Sequence, residues 1–442
     1  MRPRRESLGD PNCQVVEFGL RRIMARIRSV LCCLLIALSI FTACLSYPLF
    51  TGFGPWLPLP TEGAPADQTV SAQQFEQAGD LALKALKTHR RKHGIPGITA
   101  AVAIKDSVVW TGAVGWADLA ARKPVHRETI MRIGSTSKAV TATALARLID
   151  KGELTLDSPI SKYSQNWPNP QWNHLTPRQL ASHTAGFPEY NNNGDRFGKF
   201  ITLRGTRHYS SVRESLEIFD DSPLLFEPGT EFAYSSFDVN LLGAVIAASQ
   251  NQSFLSSLDE LVFMPLGLVS SGGDHDGIHR PHLAQFYQTD GTRCRIWRPF
   301  DLSQRWPGGG LLSTSAELAT LGIRWLDPNF IHPETRNIMW TPQALSNGKI
   351  NEQRYAIGWR FYSENPWPGR PDRTLRMAHH GGISKGAMSW LVVYPEYSLS
   401  IAVNANTRLE TFSDFNAVEG EIAGYFLSTI EQLGVAPSVD NP

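Results

Sequence analysis

The sequence predicts an α+β fold: an antiparallel sheet built from both ends of the chain, flanked by helices, with a helical lobe inserted in between. Three observations carry this. Ile98–Ile104 and Val108–Val114 are apolar runs joined by a tight turn at Lys105-Asp106-Ser107, and read as a hairpin. Met388–Tyr394 and Ser398–Asn404 repeat the pattern near the other end. Between the two pairs lie helical stretches at Ala139–Ile149, Asp238–Ser249 and Ser313–Leu326. A site in such a fold belongs at the junction of sheet and inserted lobe.

The remaining elements follow in order. From about Ser71 to Lys92, Phe75, Leu81, Leu83 and Leu86 recur on one face of an amphipathic helix whose basic end suits a helix C-terminus. Thr176 is placed as an N-cap, with Pro177 in the first helical position. Asn191–Gly194 marks a loop, and Ala417–Leu427 closes the chain as a helix.

With 442 residues, 42% of them hydrophobic, the chain suffices for one large catalytic unit, expected over 74–432, and an N-terminal appendage. A net charge of +1 gives no reason to expect a nucleic-acid partner. Of Cys13, Cys32, Cys33, Cys44 and Cys294 only the last lies in the globular part, so no disulfide and no Cys-based zinc site is available there. Residues 1–28 form a basic segment, with Arg21, Arg22, Arg26 and Arg28 ahead of an apolar run at 29–50. That run is expected to be a membrane anchor or a signal segment, with Phe41-Thr42-Ala43-Cys44 as an imperfect lipobox in the second case. Either way it places the domain on a membrane, on the extracytoplasmic side. Residues 51–73, rich in Pro and Gly, read as a linker, and 433–442 as a tail.

Three elements point to acyl transfer. Ser135 and Lys138, three apart at the start of a helix, share one side of a turn; the hydroxyl lies beside the free N–H groups of the helix N-terminus. Lys138 becomes a base if burial or nearby cations depress its pKa. Tyr234, in Phe232-Ala233-Tyr234-Ser235-Ser236, is a candidate base toward the serine or acid for the leaving group, and the base role requires neighbouring cations. His379-His380-Gly381-Gly382 brings glycines to the mouth of a strand, where the Gly382 N–H pairs with that of Ser135 as an oxyanion hole.

Together these elements resemble the serine β-lactamase-like family, which includes class C β-lactamases, D,D-peptidases and related esterases. The resemblance runs from about Gly94 to Gly424 and implies the β-lactamase/penicillin-binding-protein fold. It aligns Ser135/Lys138 with the S-x-x-K element, Tyr234-Ser235-Ser236 with Y-x-N, and His379-His380-Gly381 with K/H-T-G. Arg178–Gly186 and Gly308–Thr314 are similar too, and Asp221–Ser236 and Met339–Pro342 are most similar to a mitochondrial branch. The resemblance implies that acylation of Ser135 needs no cofactor, and that Ser236, His379, His380 and Gly381 bind a small-molecule or peptide substrate. Ser236 in place of Asn, and histidines in place of Lys-Thr, favour peptidase or esterase action over β-lactam hydrolysis. Two competing classes are a scaffold that keeps the fold without a reactive serine, and a metallohydrolase built on His275, Asp276, His279 and His282. Gly277 and Pro281 break any helix that would align that last cluster.

Overall fold

A computed structural model gives the structure of the chain and describes Met24 and residues 27–43, 52–60, 62–367 and 370–434. The main sheet contains β1 (Ala66–Val70), β2 (Gly97–Ile104), β3 (Ser107–Asp118), β4 (Arg360–Trp367), β5 (Arg370–Ser384), β6 (Ala387–Tyr394) and β7 (Leu399–Ala405). They pair antiparallel in the order β4-β5-β6-β7-β2-β3-β1, with Lys123–Pro124 pairing off β3. The two chain ends meet where Ala402 of β7 lies opposite Ala101 of β2. This is the predicted α+β architecture.

Alternate residues of the central strands face two different layers. Ala101, Ala103, Leu391 and Val393 pack with the inserted helices, including α2 (Ser137–Asp150), α3 (Ser236–Ser249) and α4 (Ser315–Arg324). Ala100, Val102, Val392 and Ile401 pack against α1 (Glu76–His93) and α5 (Phe412–Gln432). Burial on both faces explains why these strands read as unbroken apolar runs.

Helix α1 forms as expected, but its buried stripe is Ala78, Ala82, Ala85 and Leu86, while Leu81 is exposed. Small side chains are needed because the helix lies close to β3: a Cβ on Gly79 would come 2.8 Å from the Trp110 ring. Residues 51–73, expected to be a linker, contain two strands. Gly52–Pro58 pairs with Arg293–Trp297, and β1 edges the main sheet. The β4–β5 hairpin is not evident from the sequence. It is an edge of the sheet and only half-covered, so its sequence carries charges through Arg370, Arg373 and Arg376.

The expected membrane anchor needs correction. The chain divides into two units at Thr51/Gly52, and the first contains one helix over residues 27–43. Among the described residues no helix is long and apolar enough to cross a membrane. The structure therefore does not support an anchored, extracytoplasmic placement. Cys44, most of the basic segment and residues 435–442 lie outside the described residues.

Candidate active site

Ser135 sits in a 3-10 turn, Gly134–Thr136, that runs directly into α2. Gly134 has φ +51, and a Cβ there would meet the Ile383 backbone at 2.5 Å, so the turn and β5 approach as only glycine permits. Gly382 makes the same approach from the other side: its Cβ would lie 1.9 Å from the Ile133 carbonyl and 2.8 Å from the Ser135 nitrogen. Ser137 ties the turn down, its hydroxyl donating to the Gly134 carbonyl at 2.7 Å and accepting from the Leu311 N–H at 3.2 Å.

Lys138, one helical turn on, is fully buried. Its Nζ lies 3.2 Å from Ser135 Oγ, 2.9 Å from Ser236 Oγ and 2.6 Å from the Gly308 carbonyl. Burial brings the ammonium down to about 7; Arg360 and Arg305 push the same way, against Tyr190 and Asp238. Asn240 holds the Gly308 loop in place by accepting its N–H at 3.2 Å.

Tyr234 precedes α3, whose N-cap is Ser235. Its ring centroid lies 4.8 Å from Lys138 Nζ and 5.3 Å from the Arg360 guanidinium, and its phenol bonds to Ser135. Burial nonetheless pushes the phenol up to about 12; Arg360 and the Ser135 bond only moderate the rise. Tyr234 is therefore a proton donor at neutral pH, and the base role falls to Lys138.

Behind Tyr234, the His183 ring packs tilted against it, centroids 4.3 Å apart, and pairs with Asp238 at 2.9 Å, both wholly buried. Burial lowers the imidazole pKa and raises that of the carboxyl. The Ser235 N–H points at His183 Nδ1, 3.3 Å away.

The two β5 histidines separate, because successive strand residues face opposite ways. His380 turns toward the site but is spent on structure. Its Nδ1 can only donate to the Gly381 carbonyl at 2.8 Å, so Nε2 accepts from the Tyr355 hydroxyl at 2.9 Å. His379 is not brought into the site: it is sandwiched between Tyr362 and Trp390, and burial holds its pKa at about 3. The permanent cation beside Tyr234 is instead Arg360, at the start of β4. Sequence reasoning misses it, since its strand is not recognised there.

A cavity of about 200 Å³ opens on Ser135 and Ser236, with Ile383 and Lys385 on its β5 side. A larger one, about 440 Å³, is lined by residues such as Trp110, Val269 and Thr314 and lacks a paired nucleophile and base. Chemistry, not size, selects the smaller cavity. The His275 cluster does not converge: His275 Nδ1 bonds to the Asp276 carbonyl, and His282 faces His126. His126, Glu128 and His282 do meet. There the Glu128 N–H donates to His126 Nδ1 at 3.2 Å, so Nε2 carries a proton, which it donates to His282 Nδ1 at 3.0 Å.

Residues 73–420 match the Beta-lactamase family profile. The human serine beta-lactamase-like protein LACTB, mitochondrial, is 27% identical over 79% of this chain and 77% of its own length. Its name, which places that relative in mitochondria, runs against the expected extracytoplasmic location. Among solved structures, a D-amino acid amidase from Ochrobactrum anthropi SV3 superposes with a TM-score of 0.64 at 19% identity, covering 81% of this chain and all (100%) of that one. The hydrolase EstCE1 also gives 0.64, at 20% identity over 80% of this chain and 100% of its own. The chain belongs to the beta-lactamase family and is a serine hydrolase of that fold.

Proposed function

We propose that Ser135 attacks the carbonyl of a peptide, ester or amide and passes through an acyl-enzyme that water then hydrolyses. The observation that carries this reading is Lys138 Nζ, buried and 3.2 Å from Ser135 Oγ, with a pKa of about 7. As a neutral amine Lys138 has two N–H bonds, which the Gly308 carbonyl and Ser236 Oγ accept. Its lone pair is then left for the Ser135 hydroxyl, which donates to it. The proton taken from Ser135 reaches the leaving group through Tyr234, whose phenol gives up its own proton and regains one from Lys138. Negative charge on the tetrahedral oxygen is held by the Ser135 and Gly382 N–H groups, and the loss of one such donor typically costs about 10²–10³ in rate.

Ester or peptide substrates suit the site better than β-lactams, because His380 is engaged by Tyr355 and Gly381 and His379 faces away. The test is turnover of p-nitrophenyl butyrate by the wild type, Ser135→Ala and Lys138→Met. The wild type turns over and both variants lose activity. Hydrolysis that persists in Ser135→Ala refutes the assignment; an inert but folded wild type points to the scaffold class.

A further inference from the structure

The larger cavity, about 440 Å³, has Glu128 and His282 on its wall and takes no part in the acyl-transfer chemistry. With His126 these two residues bring three ligating atoms within 4.8 Å of one another. His126 and His282 are 156 residues apart in the chain, and the backbone clamps their segments together. The Ile130 N–H donates to the His282 carbonyl at 2.9 Å, and the Ala284 N–H donates to the Ile130 carbonyl at 3.0 Å. His126 and Glu128 share a turn closed twice over. The Thr129 N–H donates to the His126 carbonyl at 2.9 Å, and the His126 N–H donates to the Thr129 hydroxyl at 2.9 Å. His282 is held at φ +67, a left-handed conformation that residues other than glycine adopt rarely and under strain.

The distances suit a shared ion. His126 Nε2 and His282 Nδ1 face each other at 3.0 Å, and Glu128 Oε2 lies 3.9 Å from the His282 ring. Two imidazole nitrogens on one tetrahedral ion stand about 3.3 Å apart, given bonds of about 2.05 Å. Opening the pair by a few tenths of an ångström therefore admits the ion, and the exposed Glu128 stem lets its carboxylate close onto it. Protonation allows this as well. His282 Nδ1 accepts from His126 and so already presents a lone pair. His126 has to move its proton from Nε2 to Nδ1, which gives up one exposed bond of 3.2 Å from the Glu128 N–H, and water replaces that bond.

We propose that His126, Glu128 and His282 form a zinc site, with an open coordination position at the edge of the larger cavity. Two imidazoles and one carboxylate select a divalent transition metal over Mg²⁺ or Ca²⁺, which prefer an all-oxygen shell. Three protein ligands leave the fourth position to water or to a donor atom of a molecule in the cavity. Zinc there ties the loop at 275–284 to the segment that runs through the short strand Met131–Arg132 into the Ser135 turn. The site stands whether or not Ser135 reacts.

The experiment strips the full chain of metal with a chelator, titrates it with Zn²⁺ by calorimetry, and repeats the titration with Co²⁺ read by visible absorption. The wild type is expected to take up one Zn²⁺ per chain, and Co²⁺ to give the absorption of a four-coordinate site. Zinc also raises the melting temperature, because it binds the folded chain. In His126→Ala, His282→Ala and Glu128→Gln, zinc binding weakens by about tenfold or more and the thermal shift shrinks with it. Ser135→Ala and His275→Ala bind as the wild type does, and Mg²⁺ does not compete. Glu128→Gln keeps the test valid if a histidine variant fails to fold, since its side chain is exposed and nearly isosteric. No zinc uptake, uptake unchanged in all three variants, or equal competition by Mg²⁺ overturns the proposal.

Discussion

Arg360→Gln is expected to move the acidic limb of the pH–activity profile upward by about one unit. The ammonium of Lys138 and the guanidinium of Arg360 lie 4.8 Å and 5.3 Å from the centre of the Tyr234 ring. They are therefore no more than about 10 Å apart, where two unit charges at an effective dielectric of about 20 repel by about 1.7 kcal/mol. That is a little over one pKa unit. Removing the guanidinium takes away a charge that disfavours the ammonium, so the pKa of Lys138 rises from about 7 toward about 8. Because the base is the neutral amine, activity of the variant at pH 7 drops by roughly fivefold and recovers above pH 9. The assay is kcat/KM for p-nitrophenyl butyrate from pH 5.5 to 9.5, which reports groups of the free enzyme. A midpoint that stays put, or moves down, refutes the argument that Arg360 helps to set the base. The burial of Lys138 predicts little dependence on salt, unlike a surface pair.

Other expectations concern catalysis and stability. Gly382→Ala drives a Cβ to 1.9 Å from the Ile133 carbonyl and 2.8 Å from the Ser135 nitrogen, backbone that must shift to admit it, and should lower the melting temperature as well as cost kcat about 10²–10³-fold. Glu419, buried on α5, accepts from Tyr394 at 3.1 Å, yet burial raises its pKa from 4.5 to about 7. The fold thus holds a proton that the unfolded chain gives up, and stability declines as pH rises from about 4.5 to 7. Glu419→Gln should gain about 3 kcal/mol at pH 8 and almost nothing at pH 4, read by urea unfolding at both values. Asp274→Ala strands the buried Arg132 guanidinium and should lose about 3–5 kcal/mol in the same assay.

What is legible in the sequence follows the physics of burial. Strands β2, β3, β6 and β7 are covered on both faces, so their apolar runs stand out. Strands β4 and β5 form a half-covered hairpin at the sheet edge, and their charged residues conceal them. With β4 goes Arg360, the cation that stands over Tyr234. The Ser135–Lys138 pair is legible because one helical turn fixes the relation of its members. The two histidines can be found but not assigned, since strand alternation sends only His380 inward. Tyr234 lies beside Lys138, but its protonation turns on burial outweighing nearby cations, which only the packed structure reveals. The apolar N-terminal run raises a membrane expectation, yet among the described residues no helix is long and apolar enough to cross a membrane.

The central claim is that Ser135 is a nucleophile activated by a buried, neutral Lys138. Labelling with a fluorophosphonate, followed by peptide mapping and intact mass, tests it most directly. The account predicts one adduct, on Ser135, forming at a rate that is half-maximal near the Lys138 pKa of about 7 and absent from Ser135→Ala. An adduct on another residue, or one that survives Ser135→Ala, contradicts it.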